Sequence, residues 1–217
     1  PAGETGIGRW SADDLANALH TGPAPDGAAY FPAFPYPSYT GISAEDARAL
    51  HAYLMTVAPV RRENRPHELP WYLGSRLAAR AWQWLFFTPA RFAADPARDA
   101  DWNRGAYLVR HLGHCGECHT PRNALGAPDR AREMAGTADG PEGRKVPNIT
   151  PDRDAGIGRW APGDLETFLE IGMLPDGDFA GAGMGEVIDG NTAKLTPEDR
   201  RAIAAYLASL PALPGPR

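Results

Sequence analysis

The chain has 217 residues, enough for one or two domains with an adequate core. Its net charge of −5 and pI near 5.7 exclude the basic footprint of a nucleic-acid-binding protein. No apolar run approaches the roughly 18 residues needed to cross a bilayer. The longest candidate, residues 81–87, is too short and follows Arg80. The only lysines are Lys145 and Lys194, which excludes a lysine-ringed docking face. The 24 Gly and 22 Pro are many for an enzyme core and natural for loops wrapped round a bound group.

In chain order, Trp10-Ser11-Ala12-Asp13-Asp14-Leu15 predicts a capped helix, with Trp10 and Leu15 as an apolar staple. Gly22 is placed to end it in a left-handed turn. Ser43-Ala44-Glu45-Asp46 opens a second helix whose apolar stripe is Leu50, Tyr53, Leu54 and Val57. His20 and His51 fall on these helices and read as surface residues. Residues 61–100, with Trp71, Trp82 and Trp84, read as a connector holding one helix. Its aromatic run reads as packing between two domains in preference to a docking surface for a membrane or partner.

From near Asp101, a helix carrying Gly105, Tyr107, Leu108 and Leu112 leads to Cys115-Gly116-Glu117-Cys118-His119. C-x-x-C-H is the run read as covalent c-type haem attachment. Two thiols three positions apart can add to the two vinyl groups on one porphyrin edge. The next imidazole is then left under the ring, where it can bind iron. These are the only two cysteines. A structural zinc site wants four ligands, and a thioredoxin-like pair wants a βαβ context. A disulfide between the two leaves the flanking His unexplained. Haem c is attached outside the cytoplasm, so a secreted precursor with a processed or incomplete N-terminus is expected.

The chain then repeats itself. Gly6-Ile7-Gly8-Arg9-Trp10 returns as Gly156-Ile157-Gly158-Arg159-Trp160, an offset of 150. Asp14-Leu15, Leu19, Gly22 and Pro25-Asp26-Gly27 recur at the same offset, which also sets Phe34 opposite Met184. Beyond that the offset is 153, matching Asp46, Tyr53 and Leu54 to Asp199, Tyr206 and Leu207. The later first helix has Ala161 for the capping hydroxyl and Pro162 at its first helical position. Thr196-Pro197-Glu198-Asp199 opens the last helix, with Ile203, Tyr206, Leu207 and Leu210 on one face. Residues 101–217 thus read as a complete all-α domain, and residues 1–60 as the C-terminal half of another, with no haem motif.

His119 is the expected proximal metal ligand. Met184, among glycines in Gly181-Ala182-Gly183-Met184-Gly185, is the expected sixth ligand, with a loop Met packing under the domain as the bland alternative. Thioether opposite His raises the potential and favours electron transfer. Met55, Met134 and Met173 are poorer candidates. Phe34, at the matching place, cannot bind iron. Trp160 and Trp10 could donate to a haem propionate or simply anchor helix starts. Asn148, Thr150 and Arg122 are candidate polar contacts at the haem edge, which caps and turns explain as well. The other ring N–H of His119 should meet a backbone carbonyl, for which residues 121–126 are the expected place. His114 could be a solvent-facing loop residue.

The runs Gly113–Asn123, Val146–Asp152, Gly156–Trp160 and Met184–Ile188 resemble those of the multi-haem cytochrome c subunits of bacterial periplasmic dehydrogenases. Those subunits accompany alcohol and gluconate dehydrogenases and molybdenum hydroxylases. The resemblance covers essentially the whole chain. It implies a class I-like cytochrome c fold, haem c as cofactor, and periplasmic electron transfer from a dehydrogenase catalytic subunit towards quinone or a terminal oxidase. It also implies a membrane-associated complex without a transmembrane helix in this chain, and a further C-x-x-C-H before Pro1 for a second haem. Tyr30-Phe31-Pro32-Ala33-Phe34-Pro35-Tyr36 resembles the family's loop that often holds a Met ligand. Phe34 departs from that pattern and puts His/Met ligation of a first haem in doubt. It keeps open a dihaem enzyme with an open-site haem, a peroxidase or sulfur-compound dehydrogenase. A haem-holding sensor or structural module is the third reading.

Overall fold

The computed structural model describes residues 2–65, 67–69, 74–161 and 163–216, without the side chains of Glu142 and Ala182. Trp71 and Pro162, singled out above, lie outside the described residues. Among those described, the ordered elements are helices and turns, with isolated β-bridges and no strand. The all-α expectation holds. The chain forms two compact units, residues 1–93 and 94–217.

The first unit holds α1 (Ala12–Thr21), α2 (Tyr36–Tyr39), α3 (Ala44–Thr56) and α4 (Arg76–Phe86). Ser11 and Asp14 form the reciprocal capping box, at 3.1 and 2.9 Å, and Gly22 ends α1 at φ 82°. A Cβ at Gly22 would stand 2.7 Å from Gln83 Nε2 and 2.8 Å from Tyr36, so both conformation and crowding demand glycine. Ser75 caps α4, which lies over the turn after α1. Arg76 donates to the Ala29 carbonyl at 2.8 Å, Arg80 to Gly27 at 2.7 Å, and Gln83 to Thr21. Ala79 closes over Ala29 and Phe31. Trp82 is buried, whereas Trp84 is 83% exposed.

Three expectations for this unit need correction. His20 is buried, not on the surface. Its Nε2 accepts from Arg91, which can only donate, so its Nδ1–H donates to the Thr40 carbonyl at 2.8 Å. His51 is half-buried and bonds the Trp10 carbonyl at 2.8 Å. The α3 stripe is incompletely covered: Tyr53 is 66% exposed and Val57 is exposed as well. A stripe records what a helix could bury; burial also needs a second helix laid against it.

The second unit supplies such a helix. It holds α5 (Ala100–Tyr107), α6 (Gly116–His119), α7 (Asp164–Ile171), α8 (Ala182–Gly190) and α9 (Pro197–Ala208). Asp99 caps α5 and Thr196 caps α9, the latter with Pro197 in its first turn. The two helices cross at Gly105, where a Cβ would fall 1.9 Å from the Ala202 carbonyl oxygen. That approach buries Ile203, Tyr206 and Leu207. Arg104 grips Asp199 through two bonds of 2.7 and 2.8 Å across the crossing.

The internal repeat is structural as well as textual. Gly8 N–H donates to Ala2, and Gly158 to Asp152, at 3.1 and 3.0 Å. Tyr30 N–H reaches Gly22, and Ala180 reaches Gly172, at 2.9 and 2.8 Å. The Pro23–Ala29 bridge recurs as Met173–Phe179. One backbone plan serves both copies up to residues 30 and 180.

Candidate functional site

The residues before Cys115 leave ordinary helical geometry. Residues Leu108–Leu112 form a π-helical turn, a feature frequent at functional sites. Gly113 N–H then bonds the Leu108 carbonyl at 2.6 Å and Cys115 N–H the Val109 carbonyl at 3.0 Å. His114 takes φ 37°, a left-handed conformation uncommon for a residue with a side chain. The chain is thereby turned out of α5 and into α6, whose single turn carries the motif. His119 N–H bonds the Cys115 carbonyl at 3.0 Å, setting both thiols and the imidazole on one turn of backbone.

The two thiols are unlinked, so the pair is not a disulfide. Burial pushes the Cys115 thiol up to about 11. Burial, then the Glu117 carboxylate, raises that of Cys118 against the opposing pull of Arg122. Both thiols are protonated near neutrality, unlike a nucleophilic or redox-active cysteine, which needs a stabilised thiolate.

His119 is buried, and its Nδ1 lies 2.8 Å from the Pro147 carbonyl oxygen. A carbonyl only accepts, so Nδ1 carries the proton and Nε2 keeps its lone pair. Burial holds the ring's pKa below the usual histidine value, which favours this neutral form. The partner is a backbone carbonyl, as expected, but not one in residues 121–126. The chain runs on through the turns around Met134 and returns, so the acceptor comes 28 residues after the ring. Met134, at φ 65° and fully buried, fixes that return: its N–H donates to Thr120 Oγ1 at 3.1 Å. Its Cε also lies 3.4 Å from where a Cβ at Gly116 would stand. Sequence reasoning missed both the Pro147 carbonyl and this packing role of Met134, because neither has a side-chain signature.

Asn148, next to Pro147, is buried and highly engaged. Its Oδ1 accepts from Thr150 N–H at 2.8 Å and Thr150 Oγ1 at 2.7 Å, while its Nδ2 donates to Leu213 at 2.7 Å. These bonds tie the histidine's acceptor loop to the C-terminal tail. Arg122 arches back over α6, donating to the Gly126 carbonyl at 2.7 Å and to both the carbonyl and the carboxylate of Glu117. Trp160 is half-buried with its ring edge-on to Phe168 at 5.5 Å. Met184 stands half-buried in the first turn of α8, with open space around Gly181 and Gly183. Phe34, its counterpart, sits in an aromatic cluster, 5.3 Å from Tyr30 and 6.2 Å from Tyr39.

A second group beside the motif, an exposed arginine on a buried tyrosine, was not foreseen. Arg110, in the π turn, donates to the Tyr206 hydroxyl and bonds Glu133 at 3.2 Å. It joins α9 to the turn that launches Cys115.

No family model matches the chain. Over 98% of its length it is 43% identical to a dihaem c-type cytochrome of Cereibacter sphaeroides, and it spans 70% of that protein. This chain belongs to the dihaem cytochrome c family. The chain is also 40% identical, over 97% of its length, to the gluconate 2-dehydrogenase cytochrome c subunit of Pantoea cypripedii. The fructose dehydrogenase cytochrome subunit of Gluconobacter japonicus is 38% identical over 98%. The chain spans about half the length of these last two, 49% and 43%. No described helix of this cytochrome is long and apolar enough to cross a membrane.

Proposed function

We propose that this cytochrome carries electrons from a dehydrogenase catalytic subunit towards quinone or a terminal oxidase in the periplasm. The observation that supports it most is the fixed tautomer of His119, with Nδ1–H on the Pro147 carbonyl and Nε2 left as a ligand atom. Such an outer hydrogen bond orients a ligating imidazole and raises its basicity. Haem c, when bound, supplies a one-electron iron centre. Cys115 and Cys118 would hold it, and His119 and Met184 would be its iron ligands. No side chain need move a proton: the chain orients, encloses and tunes. Trp160, Asn148 and Arg122 shape the surroundings, Asn148 and Arg122 through the loops they brace. Residues 101–217 are one cytochrome c domain, residues 1–60 the C-terminal half of another, and residues 61–100 their connector.

Phe34 supports a second reading for the other half, in which any haem seated there lacks a thioether and has an open or differently ligated face. The primary reading is tested by intact mass and a pyridine haemochrome count on protein matured with a haem-attachment system. One covalent haem is expected on residues 1–217. His119→Ala should keep the thioethers but lose the low-spin spectrum. A wild-type chain that attaches no haem contradicts the proposal.

A further inference from the structure

The two copies of the repeat differ in what covers the turn after their first helix. On the first copy α4 covers it: Gln83, Arg80 and Arg76 take the carbonyls of Thr21, Gly27 and Ala29, and Ala79 closes over Ala29. The matching positions in the second copy are Ile171, Gly177 and Phe179. Ile171 and Phe179 are 54% and 59% exposed, and Met173, bridged to Phe179, is exposed beside them. The first copy has Thr21, Pro23 and Ala29 at these places, so the uncovered face is the more apolar of the two. Its rim is acidic. Asp176 and Asp178 at the tip of the turn and Glu186 on α8 are exposed, and residues 160–193 hold seven acidic side chains and no Lys or Arg.

Clustered apolar exposure with a polar rim marks a docking surface. An acidic rim disfavours an anionic lipid surface and favours a basic protein one. The first copy shows what such a turn accepts: a helix with arginines one turn apart, aimed at turn carbonyls, and a small residue over position 29. We propose that the Ile171–Met173–Phe179 face binds a basic amphipathic helix of a partner protein, laid across the turn as α4 is laid across residues 21–31. Phe179 fills the seam where Ala29 and Ala79 meet in the first copy, and Asp176 and Asp178 take the cations. The proposal does not rest on the electron-transfer reading, because docking is measured without turnover.

The probe is a fluorescent peptide of residues 75–87 of this chain, which carries both arginines and the apolar stripe. It is titrated against the full haem-loaded chain by anisotropy, at low and high salt. Saturable binding is expected, weakened at least tenfold by Phe179→Asp and severalfold by Asp176→Asn with Asp178→Asn, and weakened by salt. Both sites are exposed, and an unchanged haem spectrum and circular dichroism confirm the fold of each variant. The absence of binding overturns the proposal, as does binding that neither variant weakens. Phe179-dependent pelleting with anionic vesicles, or Phe179-dependent self-association in sedimentation, also overturns it by assigning the face to lipid or to a second copy.

Discussion

Residues 2–30 and 152–180 follow one backbone plan with shared turns and hydrogen bonds, yet their side chains meet different surroundings. In the second copy α9 lies on α5, and Tyr206 is fully buried. In the first, the matching Tyr53 on α3 is 66% exposed. The first copy has α4 over its turn, and the second exposes Phe179 there. Position 184 is a Met on a glycine-flanked helix start, whereas position 34 is a Phe packed among tyrosines. Local hydrogen bonding, set by turns and their glycines, repeats up to residues 30 and 180. Packing, set by what lies alongside, does not.

The largest effect that would break this comparison is at its two tyrosines. Tyr206→Ala removes a fully buried ring and its bond from Arg110, and should cost about 3–5 kcal/mol in denaturant unfolding. Tyr53→Ala should stay within about 0.5 kcal/mol, as surface changes do. Equal costs would mean that α3 is covered as α9 is. Next in size is Asn148→Ala, which removes the amide's bonds to the Leu213 carbonyl and to the N–H and hydroxyl of Thr150. It should cost about 1–3 kcal/mol and loosen hydrogen-exchange protection around residues 147–150.

A smaller effect separates the copies by pH. Burial holds the His20 pKa below the usual value, and the residue at the matching position is Glu170. The unfolded chain therefore takes up a proton near pH 6.5 that the folded first unit resists. Stability is full above that pH and falls as pH drops through it, since a second ring proton would face Arg91. Thermal melts from pH 7.5 to 5.5 should show this loss, and His20→Gln should flatten it. An unaltered pH slope in the variant would show that another group carries the effect.

Much of this was legible in the residues themselves. The capping box at Ser11, the turn glycines, the α5 and α9 helices and the repeat all follow from short-range pattern. The C-x-x-C-H run named the residues proposed to attach the haem. What escaped was long-range. The acceptor for His119 is a carbonyl, and every residue has one. The burial of His20 comes from Thr40 and Arg91, neither near it in sequence. The stripe on α3 was read correctly as apolar, but nothing in residues 50–57 tells whether a neighbour covers it.

We propose that position 184 separates the two copies chemically, as a ligand in one and a packed ring in the other. Met184→Phe writes the first copy's residue into the second, and the measurement is the haem spectrum and reduction potential of the resulting holoprotein. Loss of the thioether-to-iron charge-transfer band and a potential lower by on the order of 0.1–0.2 V are expected, since Met opposite His raises it. An unchanged band and potential would contradict the account.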